Sequence, residues 1–258
     1  MILAIIQARM NSTRLPGKVL RKVNDIPLLE YLYERVRTSK KINKYIIATT
    51  TDISDNSIED FAKGKNIECY RGSIDNVLKR YYFCAKEFML SNELNNLDIV
   101  RITGDCPVID PKVIDEVINY YENNNCNYVS NTLIPTYPDG MDIEVFDFRS
   151  LEIAYKNATL KSEMEHVTLY IKNNIEFSKL NYASEHNFSH LRLTVDEEED
   201  FLLIKILIDK LFEDNKSFSY LDAISMMTKT PKLLSLNSSI ERDEGLFKSL
   251  KEDEKFNV

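Results

Sequence analysis

The chain has 258 residues, a net charge of −8, 43% hydrophobic and 29% charged residues. That length and balance fit one α/β domain of ordinary composition. The acidic charge argues against broad binding to nucleic acid or an anionic membrane, and no apolar run approaches the roughly 18 residues of a membrane span.

Ile2 to Ile6 is a short continuous apolar run, as expected of a strand buried on both faces. It lacks the basic flank and small-residue cleavage site of a secretory signal, so the expected compartment is the cytoplasm. Cys69, Cys84, Cys106 and Cys126 are widely spaced, which suits free thiols in a reducing compartment. After the first run comes a polar loop holding Arg9, Arg14 and Lys18 among Asn11, Ser12, Thr13 and Gly17. Arginine offers a planar fork of donors, lysine a mobile charge, and such loops expose backbone N–H groups, so the stretch suits a polyanion.

Pro27 opens a helix to about Ser39. Tyr45 to Thr49 reads as a second buried strand ending at Thr49-Thr50-Thr51-Asp52, followed by a helix near Ser57 to Lys65. Ile67 to Tyr70 is a third strand. It leads into Arg71-Gly72-Ser73-Ile74-Asp75, where Asp75 is a cap for a long helix to about Met89. Leu97 to Ile102 is a fourth strand, running into Thr103-Gly104-Asp105-Cys106-Pro107, and Asp110-Pro111 starts the next helix. Cys126 to Ser130 is a fifth strand. Strands alternating with helices imply βαβ units and a mostly parallel sheet. Ligands of such sheets sit beyond the carboxyl ends of the strands. That gathers Arg9 to Lys18, Thr49 to Asp52, Arg71 to Asp75 and Gly104-Asp105 around one crevice, with Thr50, Thr103 and Gly104 as candidate nucleotide contacts.

From Pro135 the rhythm changes. Tyr137-Pro138-Asp139-Gly140 is a turn, and Met141 to Phe146 alternates like a half-exposed antiparallel strand. Ser162-x-x-Glu165 is a capping-box pattern for a helix to about Asn173. Strands follow at Lys179 to Ala183 and Leu191 to Val195, then helices at Glu198 to Phe212 and Tyr220 to Met227, with a solvated charged end. The acidic run Glu197 to Asp200 reads as first-turn charge favoured by the helix dipole.

The string Gln7-Ala8-Arg9-Met10-Asn11-Ser12-Thr13-Arg14-Leu15-Pro16-Gly17-Lys18 resembles the nucleotide-binding signature of the cytidylyltransferases, the CMP-sugar-acid synthetases and related spore-coat polysaccharide F-type proteins. The resemblance covers roughly the first four-fifths of the chain. It implies a three-layer Rossmann-like α/β fold in one domain, with residues 135 to 190 an excursion carrying the acceptor pocket and homodimer contacts. It also implies CTP as nucleotide, a sugar acid, sugar phosphate or polyol phosphate as acceptor, and a loop that wraps the triphosphate, with Gln7, Ala8, Arg9, Asn11, Ser12, Arg14 and Lys18 as contacts. Arg71, Gly72 and Ser73 resemble a further nucleotide-contacting segment.

Triphosphate chemistry needs Mg²⁺, held by one or two carboxylates with phosphate oxygens and water. Asp105 and Asp196, each just past a strand, match the family's metal-binding aspartates, and Cys106 stands where sugar-acid synthetases usually carry an acidic residue or asparagine. Arg9 and Lys18 are the expected holders of departing pyrophosphate, with Arg14. Arg101 projects toward Thr103 and Asp105, as a phosphate or acceptor contact or as half of a structural ion pair. Acceptor candidates are Asp139, Asp142, Glu144, Glu165 and His166, the last either orienting a hydroxyl or structural. Glu185-His186-x-x-x-His190 would suit zinc only on a helix, and its neighbours argue for a loop. Two other readings stay open: a glycosyltransferase of the related fold, against which the absence of a D-x-D after the fourth strand weighs, and a non-catalytic nucleotide-binding homologue.

Overall fold

A computed structural model describes residues 1–214 and 218–256. The chain begins with β1 (Ile2–Gln7), then a 3₁₀ turn at Lys18–Leu20, a small hairpin of β2 (Lys22–Val23) and β3 (Ile26–Pro27), and α1 (Leu28–Val36). Next come β4 (Lys44–Thr50), α2 (Asn56–Gly64), β5 (Glu68–Gly72), α3 (Val77–Ser91), β6 (Asp98–Thr103) and α4 (Pro111–Glu122). The later part holds β7 (Tyr128–Ser130), β8 (Glu144–Asp147), α5 (Phe148–Asn157), α6 (Lys161–Glu165), α7 (Leu169–Asn173) and β9 (Lys179–Asn181). It closes with α8 (Glu198–Asp214), α9 (Tyr220–Lys229), α10 (Pro231–Leu234) and α11 (Glu244–Phe256).

The main sheet has seven strands in the order β5-β4-β1-β6-β8-β7-β9. β5, β4, β1 and β6 are mutually parallel, β8 is antiparallel to both β6 and β7, and β9 is parallel to β7. The apolar run of β1 explains its central place. Ile2, Ala4 and Ile6 pack into the core on one side of the sheet, Leu3 and Ile5 into the core on the other. A strand buried on both faces has no use for polar alternation. The expected mostly parallel α/β fold is therefore the fold observed.

Several local expectations change. Met141 to Phe146 is strand only from Glu144, and it is buried rather than half-exposed, because β8 lies inside the sheet between β6 and β7. The helix expected from Ser162 to Asn173 breaks into α6 and α7 at Val167, a fully buried residue with φ 52°. Glu163, not Glu165, closes the α6 start, accepting from the Thr159 and Leu160 N–H groups at 3.0 and 3.1 Å. Asn76 rather than Asp75 caps α3, accepting from the Lys79 N–H at 2.7 Å. Leu191 to Val195 does not join the sheet; it runs beside the Asp139 turn through a single bridge between Asp139 and Arg192.

The charged C-terminus is not a solvated tail. α11 packs on α6: Ser249 and Asp253 are buried, the Ser162 N–H donates to Asp253, and Lys161 pairs with Glu252. The segment leading into it, from Glu241, reaches the carboxyl edge of the sheet.

Gly140 sets how closely the Asp139 turn meets the segment 191–195. Its φ is +98°, and a Cβ there would lie 2.6 Å from the Leu193 carbonyl carbon. We therefore expect Gly140→Ala to lower unfolding stability by about 2–4 kcal/mol in chemical denaturation, since both the backbone region and the space are denied to alanine.

Candidate active site

The carboxyl ends of β1 and β6 meet because Gly104 has no side chain. Its N–H donates to the Gln7 carbonyl at 2.8 Å, and a Cβ would stand 2.8 Å from that oxygen. Asp105 follows on the turn. The segment 191–195 is laid against it by the Val195 N–H and the Thr194 hydroxyl, which donate to the Asp105 carbonyl at 2.9 and 3.2 Å. This lattice carries Asp196 to the same place as Asp105, although 91 positions separate them in the chain.

Between the two carboxylates sits Lys18, delivered by the left-handed Gly17 (φ 72°) at the start of the 3₁₀ turn. Its Nζ donates to Asp105 Oδ2 at 2.6 Å and to Asp196 Oδ1 at 2.7 Å. Burial by itself disfavours both charged forms. The lysine's pKa is nevertheless raised by Asp105 and Asp196, while the Lys18 charge and hydrogen bonds from Lys18 and Thr103 outweigh burial at Asp105 and hold its carboxyl down to about 2. Lys18 and Asp105 therefore stay ionised together through neutral pH.

Arg14 joins from the loop, with Nη2 3.0 Å from Asp196 and Nη1 2.6 Å from Glu244 at the start of α11. Arg192 fixes Asp196 from behind. Its guanidinium also pairs with Asp139 and with the fully buried Asp200, at 2.9 Å from Nε to Oδ1. Asp200 in turn accepts the Asp196 and Glu197 N–H groups and the Asn237 amide. Asp200 is thus a buried anchor of the α8 start, whereas exposed Glu198 pairs with half-buried Arg21.

Of these groups Arg14, Asp105, Asp139, Arg192, Asp196 and Glu244 line a cleft of about 250 Å³. Of the expected acceptor residues, Arg101, Asp139, Asp142, Glu144 and His166 line it; Glu165 does not, and instead accepts from the Ser249 hydroxyl at 2.7 Å. Glu144 is the most deeply set. It accepts from Arg101, Tyr128 and Thr168, and Lys172 Nζ stands 3.5 Å away. Burial pushes its pKa up, but Lys172, Arg101 and the two hydroxyls bring it down to about 2. Asp142 takes a 2.6 Å hydrogen bond from Arg242. Asp139 goes the other way: burial and the Asp142 charge lift its pKa to about 7 in spite of Arg192. His166 holds Ser249 at 3.1 Å through Nε2, and burial lowers its pKa, so the ring is neutral at pH 7. Cys106 is a buried thiol against Thr103 and Thr194, with burial raising its pKa well above the usual value, so it stays protonated.

The remaining expected nucleotide contacts lie at the ends of β1, β4 and β5. Arg9 and Asn11 are exposed, Ser12 is half-buried, Ala8 is buried, and Gln7 accepts from Arg101 Nε at 3.2 Å. Thr50 is buried, and its N–H and hydroxyl both go to Asp55, which also accepts the Met10 N–H at 2.7 Å and so pins the loop to β4. Arg71 is committed to structure: it donates to the Thr50 and Asp52 carbonyls, Asn56 and Glu59. Gly72 and Ser73 are half-buried at the end of β5. Lys172, Arg242 and Glu244 were not legible as site residues, since each sits on a segment with no motif; Lys172 and Glu244 line the cleft, and Arg242 reaches it through Asp142. Among the described residues no group of three or more His, Cys, Asp or Glu side chains is arranged to hold a metal, which covers His186 and His190. All four cysteines are free, and among the described residues no helix is long and apolar enough to cross a membrane.

A parallel sheet with a cationic loop and paired aspartates at its carboxyl edge defines an α/β nucleotidyltransferase. Residues 3–250 match the family model described as cytidylyltransferase. The chain is 37% identical over 93% of its length to an uncharacterized protein of Methanocaldococcus jannaschii, which it covers to 96%. It is 34% identical to the spore coat polysaccharide biosynthesis protein SpsF of Bacillus subtilis, with 89% of this chain and 95% of that one aligned. A solved cytidylyltransferase structure from Leptospira borgpetersenii superposes with a TM-score of 0.84 at 34% identity, covering 93% of this chain and 99% of the other. The chain belongs to the cytidylyltransferase family and is a nucleotidyltransferase.

The Glu144 cluster yields a pH test. Its carboxyl is depressed from 4.5 to about 2, so its stabilisation is present above the unfolded value and is lost as pH falls toward the folded one. Glu144→Gln should cost about 3 kcal/mol of stability at pH 7. The gap to wild type should narrow as pH drops from 4.5 toward 2, followed by urea titrations at each pH.

Proposed function

We propose that the protein transfers CMP from CTP to an anionic sugar-derived or polyol acceptor, releasing pyrophosphate, for the assembly of a surface polysaccharide. The observation that carries this reading is the convergence of Lys18, Asp105 and Asp196 on one point at the strand ends. The similarity to SpsF supports the polysaccharide role.

The donor set suits Mg²⁺. Two carboxylate oxygens already meet on one positive centre, no thiolate or imidazole takes part, and a hard cation needs only one or two carboxylates when phosphate oxygens and water complete its shell. Asp105 and Asp196 would hold it. When bound, the ion neutralises phosphate charge and stabilises the attacking oxygen.

The chain's own residues supply position and charge. An acceptor oxygen forms the new bond to the α-phosphorus, the bond from that phosphorus to the bridging oxygen breaks, and pyrophosphate leaves with the electron pair. Lys18, Arg9 and Arg14 take the developing charge on the leaving group. Arg14 would exchange Glu244, and Lys18 would exchange its aspartates, for phosphate oxygens. An acceptor hydroxyl would lose its proton to Asp139, whose carboxylate binds a proton near neutral pH. On the acceptor side, Arg101 and Lys172 share the single carboxylate of Glu144, so positive charge is left over to meet an acceptor carboxylate or phosphate.

Asp105→Asn should lower Mg²⁺-dependent pyrophosphate release from CTP by about 10²–10³-fold. Turnover near wild type would defeat the metal-holding role. Lys172→Met should raise the acceptor KM about tenfold with little change in that for CTP, as loss of a ground-state contact does; steady-state kinetics with each substrate varied in turn decides it.

A further inference from the structure

Arg80 lies in the first turn of α3 and is only 2% exposed. Its Nε and Nη1 are buried without a hydrogen-bond partner, and among the described residues its guanidinium makes no ion pair. The other buried guanidinium groups are partnered at least in part: Arg35 donates from Nε and Nη2 to the Ile109 and Phe218 carbonyls at 2.7 Å, leaving only Nη1 idle, and Arg192 pairs with three carboxylates. A desolvated cation with idle donors is costly unless something pairs with it.

The surroundings say where that partner would come from. The Arg80 stem packs against Gly72 at the end of β5, where a Cβ would lie 3.0 Å from Arg80 Cγ. The charged groups that face the guanidinium are Arg9 and Asp55. Asp55 is already occupied by Thr50 and the Met10 N–H, so it offers Arg80 no hydrogen bond. Arg9 is exposed and is a second cation. Arg80 thus lies at the carboxyl edge of β5 with Asp55 as its nearby carboxylate but with no hydrogen bond or ion pair to it among the described residues. Burial lowers the Arg80 pKa, yet arginine keeps its proton, so the charge persists.

We propose that Arg80 is a nucleotide-binding residue whose idle N–H groups donate to an oxygen of the bound nucleoside triphosphate, reached past Gly72 and under the Arg9 loop. The shared chemistry is an oxygen acceptor, which the base carbonyl or a phosphate can supply. The proposal rests on the nucleotide reading above and extends it to a helix that no sequence motif marks.

Calorimetric titrations of CTP, cytidine and inorganic triphosphate into wild type and Arg80→Met test it, with the ligand-free Tm of each. The variant should bind CTP at least about tenfold more weakly. Its Tm should equal or exceed that of wild type, because methionine fills the buried space without unpaired donors. A loss that extends to cytidine assigns the contact to the base; one that extends to inorganic triphosphate assigns it to a phosphate. Unchanged CTP affinity overturns the proposal, and so does a fall in Tm that accompanies the loss, which would make the arginine structural. Wild type that binds none of the ligands overturns the CTP reading and this one together, whereas wild type and variant binding CTP alike overturns only the role of Arg80.

Discussion

One buried ammonium, that of Lys18, shared between Asp105 and Asp196, is the contact on which the site depends. Two carboxylates drawn from distant segments and desolvated at a sheet edge would repel without a cation between them. With one, they form a compact ionised cluster that tethers the first loop, the end of β6 and the start of α8. Much of the neighbouring architecture keeps this triangle in place: Gly104 pressed on Gln7, the 191–195 segment bonded to the Asp105 carbonyl, and Arg192 anchored on Asp200.

The same contact gives the site its character. Every cation expected to meet phosphate from the inner part of the loop is already paired: Lys18 with the aspartates, and Arg14 with Asp196 and Glu244. Nucleotide binding is then an exchange of partners rather than the filling of an empty pocket, and the differential affinity of each group for carboxylate or phosphate sets its strength. α11 takes part through Glu244, which makes the C-terminus a wall of the cleft. Its position follows from ordinary packing on α6, and its charges read as solvated only when that packing is unknown.

What was legible in the sequence follows the range of the forces involved. The buried strands β1, β4 and β6 were plain because a continuous apolar run is a local signal, and the strand-end rule then brought the first loop and Asp105 to one edge; Asp196 came from the family resemblance, because 191–195 is not a strand of the sheet. The helix break at Val167 was not legible, since its positive φ is held by tertiary burial and the local pattern favours continuity. Lys172, Arg242 and Arg80 carried no motif. Lys172 and Arg242 owe their places to segments that pack from far away in the chain, and Arg80 owes its burial to the packing of α3 against β5. Arg71 stood in a recognisable string, yet its donors go to the backbone of the β4 turn, which no string reveals.

The central claim of the proposed function is that Lys18 stands where Asp105 and Asp196 would hold a divalent cation. Mn²⁺ binding followed by electron paramagnetic resonance without nucleotide tests this in wild type and Lys18→Met. Removal of the competing ammonium should leave Asp105 and Asp196 free and raise Mn²⁺ affinity by about tenfold or more. Equal or weaker Mn²⁺ binding by a folded Lys18→Met protein would contradict the account.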